Sequence, residues 1–156
     1  MAMDFQVTTQ RRQAELIARA YIDAIASNVA PNISWYDFRN NDDDPFNFEH
    51  NMGIITRDFR PKPAYRAYAT MTRMLRGRKL EGELDLGEGM VVFRFGAEDN
   101  PSVTALWRRS GDKTVALPAG TAMTLTGLMG DTEQVPSEGG KVNVPLRNET
   151  PVFVSE

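Results

Sequence analysis

The hydrophobic period of the chain changes near Gly77, and that change limits the folds open to it. From Thr9 to Ser27, Ile17, Ala20, Tyr21, Ala24 and Ile25 recur at helical spacing, with Thr8 or Thr9 placed to cap the first turn. This predicts an amphipathic helix. Behind Pro31-Asn32, the run Ile33-Ser34-Trp35-Tyr36-Asp37-Phe38 is β-branched and aromatic, which predicts a short buried strand. Residues 39–60 are too rich in Asn, Asp and Pro for regular structure, and loops of that length in compact proteins tend to be functional. Pro61-Lys62-Pro63 then opens a second helix, since proline is favoured in a first helical turn. Ala64, Tyr68, Met71 and Leu75 form its stripe, and Gly77 is its natural stop.

After Lys79 the helical period is gone. Short runs appear at Leu80–Leu86, Met90–Phe95, Val103–Trp107, Thr114–Leu117, Met123–Leu128, Val142–Leu146 and Val152–Val154. Gly87-Glu88-Gly89, Asn100-Pro101, Ser110-Gly111-Asp112 and Glu138-Gly139-Gly140 separate several of them. Strands at this spacing predict a compact antiparallel β-sandwich able to fold alone. The expected class is therefore α+β: the end of a (β/α) barrel, as helix, strand and helix over residues 1–78, followed by a small antiparallel β-sandwich over residues 79–156. A complete (β/α) barrel needs about 250 residues and does not fit in 156.

Composition narrows the chemistry. The chain has no cysteine and one histidine, His50, which excludes disulfides, a thiolate nucleophile, Cys-based zinc sites and multi-histidine metal centres. No metal and no cofactor is expected. Eighteen Lys and Arg against 21 Asp and Glu, with the basic residues scattered, give no electrostatic reason to expect nucleic acid. No apolar run approaches the ~20 residues that cross a bilayer, and Met1-Ala2-Met3-Asp4 lacks the regions of a signal peptide. The sequence as it stands is expected to be cytoplasmic and not membrane-bound, with secretion left open for a parent enzyme.

Three motifs in order carry the strongest text: Ser34-Trp35-Tyr36-Asp37-Phe38-Arg39, then Glu49-His50-Asn51-Met52-Gly53-Ile54-Ile55, then Arg60-Pro61-Lys62-Pro63-Ala64-Tyr65. Together they resemble the C-terminal end of a clan A glycoside hydrolase, closest to the β-xylosidase and α-iduronidase family, in which a small β-sandwich packs beside the barrel. The resemblance implies that Thr9–Asn28 is the seventh barrel helix, Ile33–Phe38 the eighth strand and Pro63–Arg76 the eighth helix. It also implies that the acid/base and nucleophile Glu residues would lie on strands preceding Met1. A C-terminal portion without independent turnover is the function expected.

From the resemblance, Trp35 would form an aromatic wall beneath a sugar ring, with His50 and Asn51 as further substrate contacts. An aromatic face stacks on the C–H side of a pyranose, although a Trp in an apolar strand is equally suited to a core. Asp37, Glu49 and His50 are polar groups near a barrel mouth or, alternatively, organisers of the long loop. Asp37 with Glu49 is the one carboxylate pair to nominate as catalytic, since glycosidases need two such groups at a set separation. Asp42-Asp43-Asp44 reads as a solvated acidic turn, lacking the ligand spacing of a calcium loop. In the sandwich, Phe93 and Phe95 share one face, as core residues do, while Trp107 before Arg108-Arg109 is a candidate exposed stacking residue.

The alternatives are a carbohydrate-binding or protein-interaction module, and a small stand-alone glycosidase using Asp37 and Glu49. Carbohydrate is the expected partner. A half-barrel would leave the inner stripes (Ile17, Tyr21, Ile25, Met71, Leu75) open to water, so a homo-oligomer or association through the barrel remnant is also expected.

Overall fold

The computed structural model describes residues 8–29, 32–98 and 100–156. The signal-peptide reading of Met1–Asp4 and Pro31 of the Pro31-Asn32 turn lie outside these residues. Helix α1 runs from Gln10 to Ser27, with the Thr9 side chain accepting a hydrogen bond from Arg12 N, as the capping pattern predicts. Helix α2 runs from Pro63 to Leu75 with proline in its first turn, and Gly77 just beyond it has φ +72°. Between them, the 3-10 turn Glu49–Asn51 interrupts the long segment.

Among the described residues, the strands that follow are β1 (Lys79–Glu83), β2 (Met90–Ala97), β3 (Asn100–Arg108), β4 (Lys113–Pro118), β5 (Met123–Thr126), β6 (Thr132–Val135), β7 (Lys141–Leu146) and β8 (Val152–Ser155). All paired strands run antiparallel, in a six-stranded sheet ordered β1-β2-β3-β8-β5-β6 and a two-stranded sheet β4-β7. Asn100 and Pro101, expected in a turn, begin β3 instead. Thr132–Val135 was not among the expected runs. It is an edge strand that, among the described residues, pairs only with β5; its first three residues are exposed, and its Thr-Glu-Gln-Val sequence has no apolar alternation to mark it.

Each face of the six-stranded sheet carries a packed cluster. On one, Val92, Leu106, Val152 and Val154 meet Val115, Leu117, Val142, Val144 and Leu146 of the two-stranded sheet. On the other, Val91, Phe95, Ala105, Trp107 and Phe153 share a cluster with Ile17, Tyr21, Met71 and Leu75 of the helices. Alternation along β2 and β3 explains the division, because successive side chains point to opposite faces.

This second cluster corrects one expectation. Of the helical stripe residues expected to lie open to water, Ile17, Tyr21, Met71 and Leu75 are buried and Ile25 is packed partly against the cluster. Helical period marks the apolar face but not its cover, and the cover here is the six-stranded sheet. A polar junction reinforces it. Glu15 on α1 is buried, accepts from Thr150 Oγ1 at 2.9 Å and pairs with Arg11 and Arg12. Glu149 pairs with Arg12 and with Arg19, the latter at 3.2 Å. The chain is α+β with antiparallel sheets and no closed barrel among the described residues.

Candidate functional site

Residues 32–62 carry the sequence-predicted site. The strand expected at Ile33–Phe38 is not formed: among the described residues, the only bridges in this stretch are the isolated Arg39–Ile55 and Ile55–Pro61 contacts. A strand is stable only when its backbone groups find ladder partners, and this segment has only one short neighbour. Asn40 N donates to Ile55 O at 3.0 Å, Ile55 N to Phe38 O at 3.1 Å, and Ile54 N to Phe38 O at 3.0 Å. The 37–40 segment therefore lies alongside 52–55. The Tyr36–Asp37 peptide bond is cis.

Three side chains bind the 51–53 turn from different directions. Trp35 Nε1 donates to Met52 O at 3.1 Å, and the half-buried ring packs against the helix-side core. Gln13 Nε2, from α1, lies 3.0 Å from Met52 O and 3.3 Å from Gly53 O. Lys62, at the N-cap of α2, is buried, and its Nζ donates to Asn51 O at 2.8 Å, Gly53 O at 2.6 Å and Asn40 Oδ1 at 3.3 Å. Burial lowers the Lys62 pKa below the usual lysine range, because the charged form loses water. Nothing in the Pro-Lys-Pro text marks this lysine as buried.

Asn51 is the hub of the loop. Its Nδ2 donates to Asp44 O at 2.7 Å and Asn47 O at 2.8 Å, while its Oδ1 accepts from Asn40 Nδ2 at 3.1 Å. His50 Nε2 lies 3.1 Å from Asn47 Nδ2, and His50 Nδ1 is buried without a hydrogen-bond partner among the described residues. Asp37 Oδ1 accepts from Phe38 N at 2.6 Å, and Glu49 N donates to Asn47 Oδ1 at 3.1 Å. No hydrogen bond joins the Asp37 and Glu49 side chains among the described residues. The acidic run is exposed, as expected, with Asp42 and Asp43 beside Arg57.

The outer surface of this segment is aromatic. Tyr36 is 69% exposed, Phe38 58%, Phe46 90% and Phe59 66%, and the Arg39 guanidinium lies over the Phe59 ring at 4.8 Å. Trp107, expected to be an exposed stacking residue, is only 3% exposed and meets Phe93 edge-on at 5.9 Å. Its position on the helix-facing side of β3 makes it core, together with Phe93 and Phe95. No helix among the described residues is long and apolar enough to cross a membrane.

No family model and no curated protein matches the chain. Solved structures do. A family 39 glycoside hydrolase from the gut symbiont Bacteroides cellulosilyticus WH2 superposes with a TM-score of 0.83 at 27% identity, over 94% of this chain and 30% of that enzyme. A family 30 endoxylanase from Clostridium papyrosolvens C71 follows at 0.66 and 10% identity, over 97% of this chain and 39% of that one. The family 30 subfamily 8 xylanase of Clostridium acetobutylicum gives 0.57 at 8% identity, over 92% and 39%. The chain spans about a third of the length of these relatives, and the two family 30 likenesses concern fold alone. In fold, this chain corresponds to a portion of a clan A glycoside hydrolase, the class of enzyme that its three ordered motifs resemble.

Proposed function

We propose that the chain is the barrel-closing and bracing portion of a glycoside hydrolase, contributing sugar-facing residues but carrying out no turnover by itself. The observation that supports this most is the match of 94% of the chain to 30% of a family 39 enzyme. In this reading Trp35, His50 and Asn51 face carbohydrate, and the exposed aromatic surface of Tyr36, Phe38 and Phe59 packs against the remaining strands of such a barrel. That surface is also where self-association of the isolated chain is expected, since large exposed apolar patches recruit partners.

Hydrolysis with retention needs two carboxyl groups about 5–5.5 Å apart, one of them protonated at working pH. Asp37 is committed to its own loop through the Phe38 amide, and Glu49 is exposed at the start of a 3-10 turn. The test is turnover of aryl glycosides by the purified chain and by an Asp37→Ala, Glu49→Ala variant. A rate equal to buffer for both is expected. Turnover by the wild type that the double substitution abolishes would replace this reading with a small stand-alone glycosidase.

A second reading, a carbohydrate-binding module, is favoured by a cleft of about 450 Å³ on the strand side, lined by Arg94, Ser102, Thr104 and Thr121. Affinity electrophoresis on soluble glycans separates the two. Retardation abolished by Arg94→Ala places binding in that cleft, whereas retardation sensitive to Trp35→Ala places it at the loop.

A further inference from the structure

Lys62 is an unusual choice for a buried position. An ammonium has three donors, and all three are spent on neutral oxygens: two main-chain carbonyls and the Asn40 amide oxygen. Among the described residues no carboxylate pairs with it. A buried charge without a counter-ion costs stability that an apolar residue of the same length would not cost, so its presence points to a geometric role.

The geometry supplies one. The carbonyls that Lys62 holds, Asn51 and Gly53, flank the Met52 carbonyl that receives the Trp35 indole N–H. Gln13 closes the same three carbonyls from the α1 side. Asn51, whose main chain is fixed by Lys62, ties down Asp44 and Asn47 through its side chain, and Asn47 touches His50. Every nominated sugar-facing residue is thus connected to one ammonium group.

We propose that Lys62 is a positioning residue, which fixes the Asn51–Gly53 carbonyls and through them the orientation of the Trp35 ring and the Asn51 side chain. This rests on the sugar-facing reading given to Trp35 and Asn51 above. Lys62 touches no substrate in this scheme. It acts only through the turn that those residues share.

The test uses the two indole N–H resonances of the ¹⁵N-labelled protein, since the chain has two tryptophans. Lys62→Met keeps the length of the side chain and removes all three donors. In it the Trp35 resonance is expected to move and to exchange with solvent about tenfold faster at 25 °C, the factor that one net hydrogen bond is worth. The Trp107 resonance is expected to stay in place. A lowered Tm with the Trp35 resonance and its exchange unchanged assigns Lys62 to stability alone and overturns the proposal.

If Lys62→Met does not fold, the wild-type protein decides. Its Lys62 ammonium protons are expected to exchange slowly enough to give cross-peaks to the Gly53 α protons, and their absence overturns the clamp. Neither readout involves a glycan. A Trp35 resonance that responds to Lys62→Met, in a protein whose retardation on glycans is unchanged by Trp35→Ala, overturns the sugar-facing reading and leaves the clamp standing.

Discussion

Gly53→Ala isolates the packing of the candidate site in one methyl group. A Cβ at Gly53 would stand within 3.0 Å of Asn40 N, the Arg39 carbonyl carbon and Asn40 Oδ1, closer than Cβ atoms approach in real structures. Two of those atoms are main chain, so relief requires the 39–40 segment to move rather than a side chain to rotate. Moving Asn40 loosens its bonds to Ile55 O at 3.0 Å and Asn51 Oδ1 at 3.1 Å, and the Lys62 contact to its Oδ1. Three weakened bonds at about 1 kcal/mol each, less the roughly 0.4–1 kcal/mol that alanine gains by restricting the unfolded chain, leave a loss of about 2–3 kcal/mol. For a chain of this size that lowers Tm by roughly 4–12 °C, read by circular dichroism. Gly120→Ala is the control, because among the described residues nothing lies within 4 Å of its Cβ position. A Gly53→Ala melting curve that overlays the wild type, or rises above it, refutes the close approach of these two segments.

Three further outcomes follow from other parts of the molecule. Met71→Ala removes a side chain that is 2% exposed between α2 and the sheet, and a loss of about 2–5 kcal/mol in urea denaturation is expected; a loss within 0.5 kcal/mol shows the stripe open to water. Thr150→Val deprives the buried Glu15 carboxylate of its 2.9 Å donor and is expected to cost about 1–3 kcal/mol, so an unmoved denaturation midpoint contradicts the junction. Hydrogen bonding from Arg12 first, and from Arg19, holds the Glu149 carboxyl below the usual glutamate range. The unfolded chain then binds the proton more readily than the folded one, so this pair stabilises the fold above pH ~4.3 and the contribution fades as pH falls through the lower folded value. Arg12→Ala should flatten the acid side of the Tm-against-pH curve, and parallel curves for the two proteins would be inconsistent with it.

Local periods made both helices and most strands legible because caps, prolines and alternation act over a few residues. Thr9 and Pro63 start helices wherever they meet an apolar stripe. What the periods did not convey was cover. Val91-Val92, Ala105-Leu106-Trp107 and Val152-Phe153-Val154 are continuous apolar runs, the mark of strands buried on both faces, whereas β4 and β7 alternate and bury one. Reading that contrast would have placed the helices on the six-stranded sheet and Trp107 in the core. The strand at Ile33–Phe38 failed for a different reason, since strand formation depends on neighbours and not on the β-branched residues alone. The long segment was legible as irregular, from its Asn, Asp and Pro content, but its organisation was not. Asn51 and Lys62 act through hydrogen bonds to main-chain oxygens brought together by the fold, and no spacing in the sequence announces them.

The common core of α1, α2 and the six-stranded sheet is what turns a helical pair and a set of strands into one unit resembling part of a glycoside hydrolase. Differential scanning calorimetry of the whole chain tests it most directly. One cooperative transition is predicted, with equal calorimetric and van't Hoff enthalpies, and Met71→Ala and Val144→Ala should shift it as a whole. Two separable transitions, with Met71→Ala moving only one and Val144→Ala only the other, would contradict it.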